Sequence, residues 1–182
     1  MKLILLRHEE RDLSNPLFFT PLTYRGMERR YQLVNSLKNQ NIDEIYVSPF
    51  LRTIQTVIPL ADELGKKLKV EYGLYEYIHN LKFDYRNWYH SVDELVERYP
   101  EVDKYIDWGY DTRVVEGDFQ ILEDERSLER RIRKFMKTLE GKEGTILLVS
   151  HMGVINKIKD MYVGRTRMND YFGMGHFEVY YM

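Results

Sequence analysis

Cysteine is absent from the 182 residues, so neither disulfides nor thiolate metal sites can contribute. No apolar run approaches the roughly 18 residues of a membrane span, and Met1-Lys2-Leu3 opens a strand rather than a signal peptide. Charge of one sign is missing too: the net is −2, which leaves no basic field to draw nucleic acid or an anionic membrane. Internal repeats and low-complexity segments are also lacking. These absences make a cytoplasmic protein the default expectation. What is present, 43% hydrophobic against 31% charged residues, argues against disorder. The length suits one well-filled core, read as a single domain over 1–182.

Two apolar runs dominate the pattern. Leu3-Ile4-Leu5-Leu6 leads straight into Arg7-His8, and Thr145-Ile146-Leu147-Leu148-Val149 leads into Ser150-His151-Met152-Gly153. Each reads as a buried strand that delivers polar side chains at its carboxyl end, where open α/β sheets bind ligands. A third strand, Glu44-Ile45-Tyr46-Val47, precedes Ser48 and Arg52, and Leu68-Lys69-Val70 is a short fourth. Between them, Thr23 caps a helix whose apolar face is Met27, Tyr31, Val34 and Leu37. Leu51 to Leu64 forms another, kinked at Pro59 where the bond to the Gln55 carbonyl is lost, and stopped by Gly65. Further helices carry Leu128 to Leu139 and Val154 to Met161, the latter ending at Gly164, and Phe177 to Tyr181 suits an edge strand. The alternation predicts a three-layer α/β/α sandwich with a mostly parallel sheet and an antiparallel edge strand. It is interrupted by a small helical insertion over 77–120, with a capping box at Ser91 to Glu94 and a second short helix over Val102 to Trp108.

If the three strands that end in polar residues are neighbours, His8, His151, Arg7 and Arg52 converge. Neutral imidazole can attack phosphorus, and guanidinium groups offset the repulsion by gripping two phosphate oxygens each. Arg11 is a third candidate clamp, a protonated His151 would stabilise the equatorial oxygens, and Met152 follows it into the pocket. A leaving alkoxide needs a proton, for which Glu76, just past the short strand, is the best-placed carboxyl; Glu9, Glu10 and Asp12 are near by sequence as well. The bland alternatives are structural histidines at strand ends and an Arg52 on an ordinary helix surface. Metal ligation is a weaker alternative, since no HxxxH or HxH pair exists among His8, His79, His90, His151 and His176.

Leu6-Arg7-His8, Ser48-x-x-x-Arg52-x-x-Gln55-Thr56 and Ser150-His151-x-Gly153 resemble the histidine phosphatase superfamily, with its phosphoglycerate-mutase-like fold. Leu22-Thr23-x-x-Gly26 and Leu74-x-Glu76 are similar to that family's pattern as well, in the right order. The resemblance implies a phosphohistidine on His8, a phosphate pocket of Arg7, Arg52 and His151, Glu76 as proton donor, and no metal or organic cofactor. Arg7-His8-Glu9-Glu10-Arg11-Asp12 and Tyr75-Glu76 are most similar to the phosphatase domains of the suppressor of T-cell receptor signalling proteins, where Arg11 would also hold phosphate. One departure is Glu9, where the family usually has glycine. A carboxylate there must point away from the phosphate or pair with a base such as Arg11.

The expected activity is phosphomonoester hydrolysis. The substrate is expected to be a small-molecule or peptide monophosphate, phosphotyrosine being one candidate, and phosphate ion the product. Mutase-type phosphoryl transfer is the alternative, against which stand the acidic insert, with ten acidic and five basic residues, and the absence of a closing tail. Non-catalytic binding of phosphorylated ligands is a third. The insert also holds ten aromatics, among them Trp88, Tyr89, Tyr105 and Trp108, which either line an organic substrate's pocket or pack the insert on the sheet.

Overall fold

The computed structural model describes residues 1–14, 17–79, 89–115, 122–164 and 170–182. Five strands, β1 (Lys2–Arg7), β2 (Ile42–Val47), β3 (Leu68–Val70), β4 (Thr145–Ser150) and β5 (Phe177–Tyr181), form one sheet in the order β3-β2-β4-β1-β5. All pairings are parallel except that of β1 with β5. Leu3 to Leu6 and Ile146 to Val149 are fully buried, as continuous apolar runs in central parallel strands should be. The late strand β4 lies between β1 and β2, so the three strands that end in polar residues are neighbours. The register pairs Arg7 with Ser150, which places His8 and His151 one step beyond the same level of adjacent strands.

Helices α1 (Tyr24–Leu37), α2 (Leu51–Leu64), α4 (Glu125–Met136) and α5 (Met152–Tyr162) flank the sheet in a three-layer sandwich, α1 packing on α2 and α4 on α5. Thr23 caps α1 by accepting from Gly26 N. The inner face of α1 is only partly the expected one: Leu37 is buried and Val34 packs against the core, but Gly26 and Leu33 join them and Tyr31 is exposed. Gly26 lies so close to the chain at Glu10 that a Cβ would stand 2.3 Å from its carbonyl oxygen. Arg30 sits between Gly26 and Leu33 on that stripe. Its guanidinium donates to the Gln55 carbonyl at 2.9 Å, the group that Pro59 cannot bond, and α2 continues through Pro59 to its left-handed Gly65 cap.

Within the insert, Ser91 and Glu94 form the expected capping box on α3 (Val92–Arg98). The second helix is instead a 3-10 turn over Pro100–Tyr105. It stops there because Ile106 bridges to Leu68 and Asp107 N donates to the Leu68 carbonyl, closing the β3 edge. Tyr105 is nearly buried and Trp108 is half-exposed, donating to Asp103; Trp88 lies outside the described residues. Tyr72 stacks with Tyr75 and Tyr89, and Phe18 packs on Phe19, Phe50, Tyr75 and His90. The aromatics on either side of the insert's junction thus largely pack against one another. Among the described residues, no helix is long and apolar enough to cross a membrane.

Candidate active site

The carboxyl ends of β1, β2 and β4 assemble a buried basic pocket. His8, whose N–H donates to Ser150 O, is 1% exposed, and its ring centroid lies 5.2 Å from that of the wholly buried His151. His8 Nδ1 is 2.7 Å from the Glu9 carbonyl oxygen. A carbonyl can only accept, so Nδ1 carries the proton and Nε2 keeps its lone pair. His151 stands just ahead of α5, with Nε2 2.9 Å from Ser48 Oγ and Nδ1 3.1 Å from Glu76 Oε2. Ser48 therefore orients the second imidazole, a role its place at the end of β2 only hinted at.

Arg52 comes from the first turn of α2 and is fully buried. Its guanidinium lies 4.3 Å from the centroid of the Phe50 ring and donates to Leu17 O at 2.9 Å and to Glu76 Oε2 at 3.3 Å. Arg7 donates to Phe172 O at 2.6 Å and lies 3.7 Å from Met152 Sδ. Arg11 donates to Asp12 O, and its charge bears on Arg7, Arg52 and His151. Buried Nε atoms of Arg7, Arg11 and Arg52 have no acceptor among the described residues. All seven residues expected at the site thus gather around one spot, with Met152 at its rim through Arg7.

Burial dominates the electrostatics. Desolvation, reinforced by Arg52 and His151, drives the His8 pKa well below its usual value, so the ring is neutral. Burial lowers His151 to about 4 against the pull of Glu76, and lowers Arg52 to about 10. Burial alone would raise the Glu76 carboxyl; His151 and Arg52 more than reverse this and hold it well below the ordinary range. Glu76 is an anion lying among cations.

Glu9 points away from the pocket, and its partner is Arg29, at 3.7 Å, not Arg11. It also accepts from Glu10 N at 3.2 Å and lies over Gly175, and desolvation raises its pKa. Arg11 instead donates to the Asp12 carbonyl, and its backbone bridges to Leu22.

His8, Glu76 and His151 offer ligand atoms within 4.8 Å of one another, a set of the kind that holds zinc. The surrounding charge disfavours it: Arg52 already contacts the same carboxylate oxygen, and Arg7 and Arg11 add to a field that repels a divalent cation. The donor set suits a tetrahedral dianion better.

Residues 3–172 match the family model of the histidine phosphatase superfamily, branch 1. Phosphoserine phosphatase 1 of Hydrogenobacter thermophilus is 29% identical over 160 residues, covering 83% of this chain and 71% of that protein. Among solved structures, the ecdysone phosphate phosphatase from Bombix mori, in complex with tungstate, superimposes with a TM-score of 0.70 at 18% identity, over 98% of this chain and 88% of that one. A mycobacterial glucosyl-3-phosphoglycerate phosphatase does so at 0.67 and 18%, over 98% and 88%. These structural likenesses concern the fold.

Proposed function

Because the chain belongs to the histidine phosphatase superfamily, we propose that its 182 residues act as one domain that hydrolyses small organic monophosphates through a phosphohistidine on His8. The observation that carries this reading is the His8 tautomer: Nδ1–H is tied to the Glu9 carbonyl, which leaves a neutral Nε2 lone pair facing a guanidinium-lined pocket. Arg7, Arg52 and Arg11 grip the phosphoryl oxygens, and His151, aimed by Ser48, donates to the charge that builds up in transfer. Met152 lines the pocket beside Arg7.

Nε2 bonds to phosphorus as the ester P–O bond breaks, and the leaving oxygen takes its electron pair together with a proton from Glu76. Glu76 is ionised in the free site, so it must take up a proton from solvent as the substrate binds. The incoming dianion competes for Arg52 and His151, the groups that hold the carboxyl acidic, and frees it to be protonated. In the second half-reaction Glu76 takes a proton from water, the water oxygen bonds to phosphorus, the P–N bond breaks and phosphate leaves.

A metabolite is favoured over a bulky aryl or peptide substrate, since Tyr72, Tyr75 and Tyr105 are spent on internal packing. The phosphoserine phosphatase among its relatives supports that choice. The wild type is expected to release phosphate from p-nitrophenyl phosphate and phosphoserine in the presence of EDTA, and His8→Ala to abolish both. Equal rates for the two proteins would discard the phosphohistidine.

A further inference from the structure

The turn that carries Glu76 is tied down from three sides. Its 3-10 stretch, Tyr72–Leu74, follows β3, and Glu71 accepts from Gly73 N at 2.7 Å. Ser150 Oγ, on the residue before His151, donates to Leu74 O at 2.7 Å. The third tie comes from α4. Arg131 is 1% exposed, and it forks onto Glu123 with two 2.7 Å bonds, Nε to Oε1 and a terminal nitrogen to Oε2. It also donates to Gly73 O at 2.8 Å and Glu76 O at 3.4 Å, while Glu123 N donates to Ile78 O at 2.8 Å.

An ion pair buried this deeply is poorly explained by stability alone, because apolar residues of similar volume are often as good. The chain also accepts a left-handed Leu122, φ 63, immediately before Glu123, a conformation that bulky side chains avoid. The bonds from the pair to backbone at Gly73, Glu76 and Ile78 fall on both sides of the Glu76 side chain.

We propose that Arg131, held by Glu123, is a positioning residue that fixes the backbone around Glu76 so that its carboxyl meets the leaving oxygen. The inference rests on Glu76 as proton donor. Proton transfer is sensitive to placement, and a displacement of about 1 Å can lower a rate roughly 10²-fold. In the phosphorylation half-reaction a mispositioned acid harms only substrates whose leaving group needs it. p-Nitrophenolate leaves readily without a proton, whereas an alkoxide does not.

The test compares kcat/KM, which reports the phosphorylation half-reaction and not the shared hydrolysis of the phosphohistidine, on p-nitrophenyl phosphate and on phosphoserine for wild type, Glu76→Gln, Arg131→Lys and Glu123→Gln, with folding checked by circular dichroism. Lysine cannot fork, and Glu123→Gln keeps the volume while weakening the hold on Arg131 should Arg131→Lys fold poorly. Expected is a loss of roughly 10-fold or more in kcat/KM on phosphoserine in both Arg131→Lys and Glu123→Gln, with p-nitrophenyl phosphate within about 2-fold. If Glu76→Gln fails to separate the two substrates, the proton-donor reading falls. If Glu76→Gln separates them while Arg131→Lys and Glu123→Gln lower both equally or neither, the positioning role alone falls.

Discussion

Gly175 gives the sharpest link between the unusual Glu9 and the integrity of the pocket. Its φ is +70, and a Cβ added there would stand 1.9 Å from Glu9 Oε1 and 2.5 Å from Cδ. Gly175→Ala therefore has two separable costs. The left-handed conformation costs alanine about 1–2 kcal/mol. Relieving the overlap requires the buried carboxylate to swing away from Glu10 N and Arg29, a further ~1–3 kcal/mol for the bonds given up. Together these give about 2–5 kcal/mol, a large part of a typical domain's stability. Glu9→Ala alone should change stability by only about 1 kcal/mol, because it removes a desolvated carboxylate whose nearest cation is 3.7 Å away. In the Glu9→Ala background the overlap no longer exists, and Gly175→Ala should cost only its conformational share. Urea unfolding of the four proteins yields the coupling directly, expected at about 1–3 kcal/mol. Because Gly175 N donates to both Arg7 O and His8 O, the single variant should also raise KM, and the double variant should recover part of that. Costs that add to within about 0.5 kcal/mol would refute the steric account.

Arg52→Ala should raise KM and lower kcat together, for a loss of roughly 10²-fold or more in kcat/KM, with Arg52→Lys recovering only part for want of a fork. An effect confined to KM would make the residue a ground-state clamp only. Stability should fall on acidification in phosphate-free buffer. His8 and His151 have folded pKa values below their unfolded ones, so their full contribution is present above about pH 6.5 and drains away below it, by about 2 kcal/mol per imidazole by about pH 5. Urea titrations at pH 7 and 5 measure this, and a flat profile would contradict neutral buried rings. The depressed Glu76 carboxyl acts lower still, its contribution being lost only as pH falls through its own lowered value.

What could be read from the chain and what could not divide along the range of the interactions involved. The runs Leu3 to Leu6 and Ile146 to Val149 announce central strands because both faces are buried, and the residues that follow them must then share one sheet end. The Thr23 cap, the Ser91 capping box and the Gly65 stop are local chemistry and stand where the pattern puts them. The face of α1 is only half legible, Val34 and Leu37 lying inward as expected, because the rest of its stripe contains a glycine and an arginine, neither of which registers as apolar. Both are there for tertiary reasons, a close approach to Glu10 and an orphaned carbonyl at Gln55. The early end of the insert's second helix depends on a bridge between Ile106 and Leu68, nearly forty positions apart, which local periodicity does not encode. Arg131 and Glu123 gave no signal at all: charged residues on and before an amphipathic helix read as solvated, and only the packed structure reveals them as buried.

The free pocket holds a net excess of donors, and that excess has a physical consequence for substrate binding. Arg52 is wholly enclosed, and burial lowers its pKa to about 10, so its charge is held at a cost that a nearby anion must offset. Glu76 supplies that anion in the absence of substrate, but one carboxylate cannot satisfy three guanidiniums, and the Nε atoms of Arg7, Arg11 and Arg52 remain without acceptors among the described residues. A tetrahedral dianion brings more acceptor oxygens and twice the charge, so it can take over Arg52 and His151 while engaging donors that Glu76 does not. The exchange is favourable because the pocket is buried, where unsatisfied donors are expensive. In the proposed mechanism the same exchange turns the displaced carboxyl from a structural counter-ion into an acid. On that proposal the residue that stabilises the empty site and the residue that protonates the leaving group are one, and substrate charge is what switches it between the two roles.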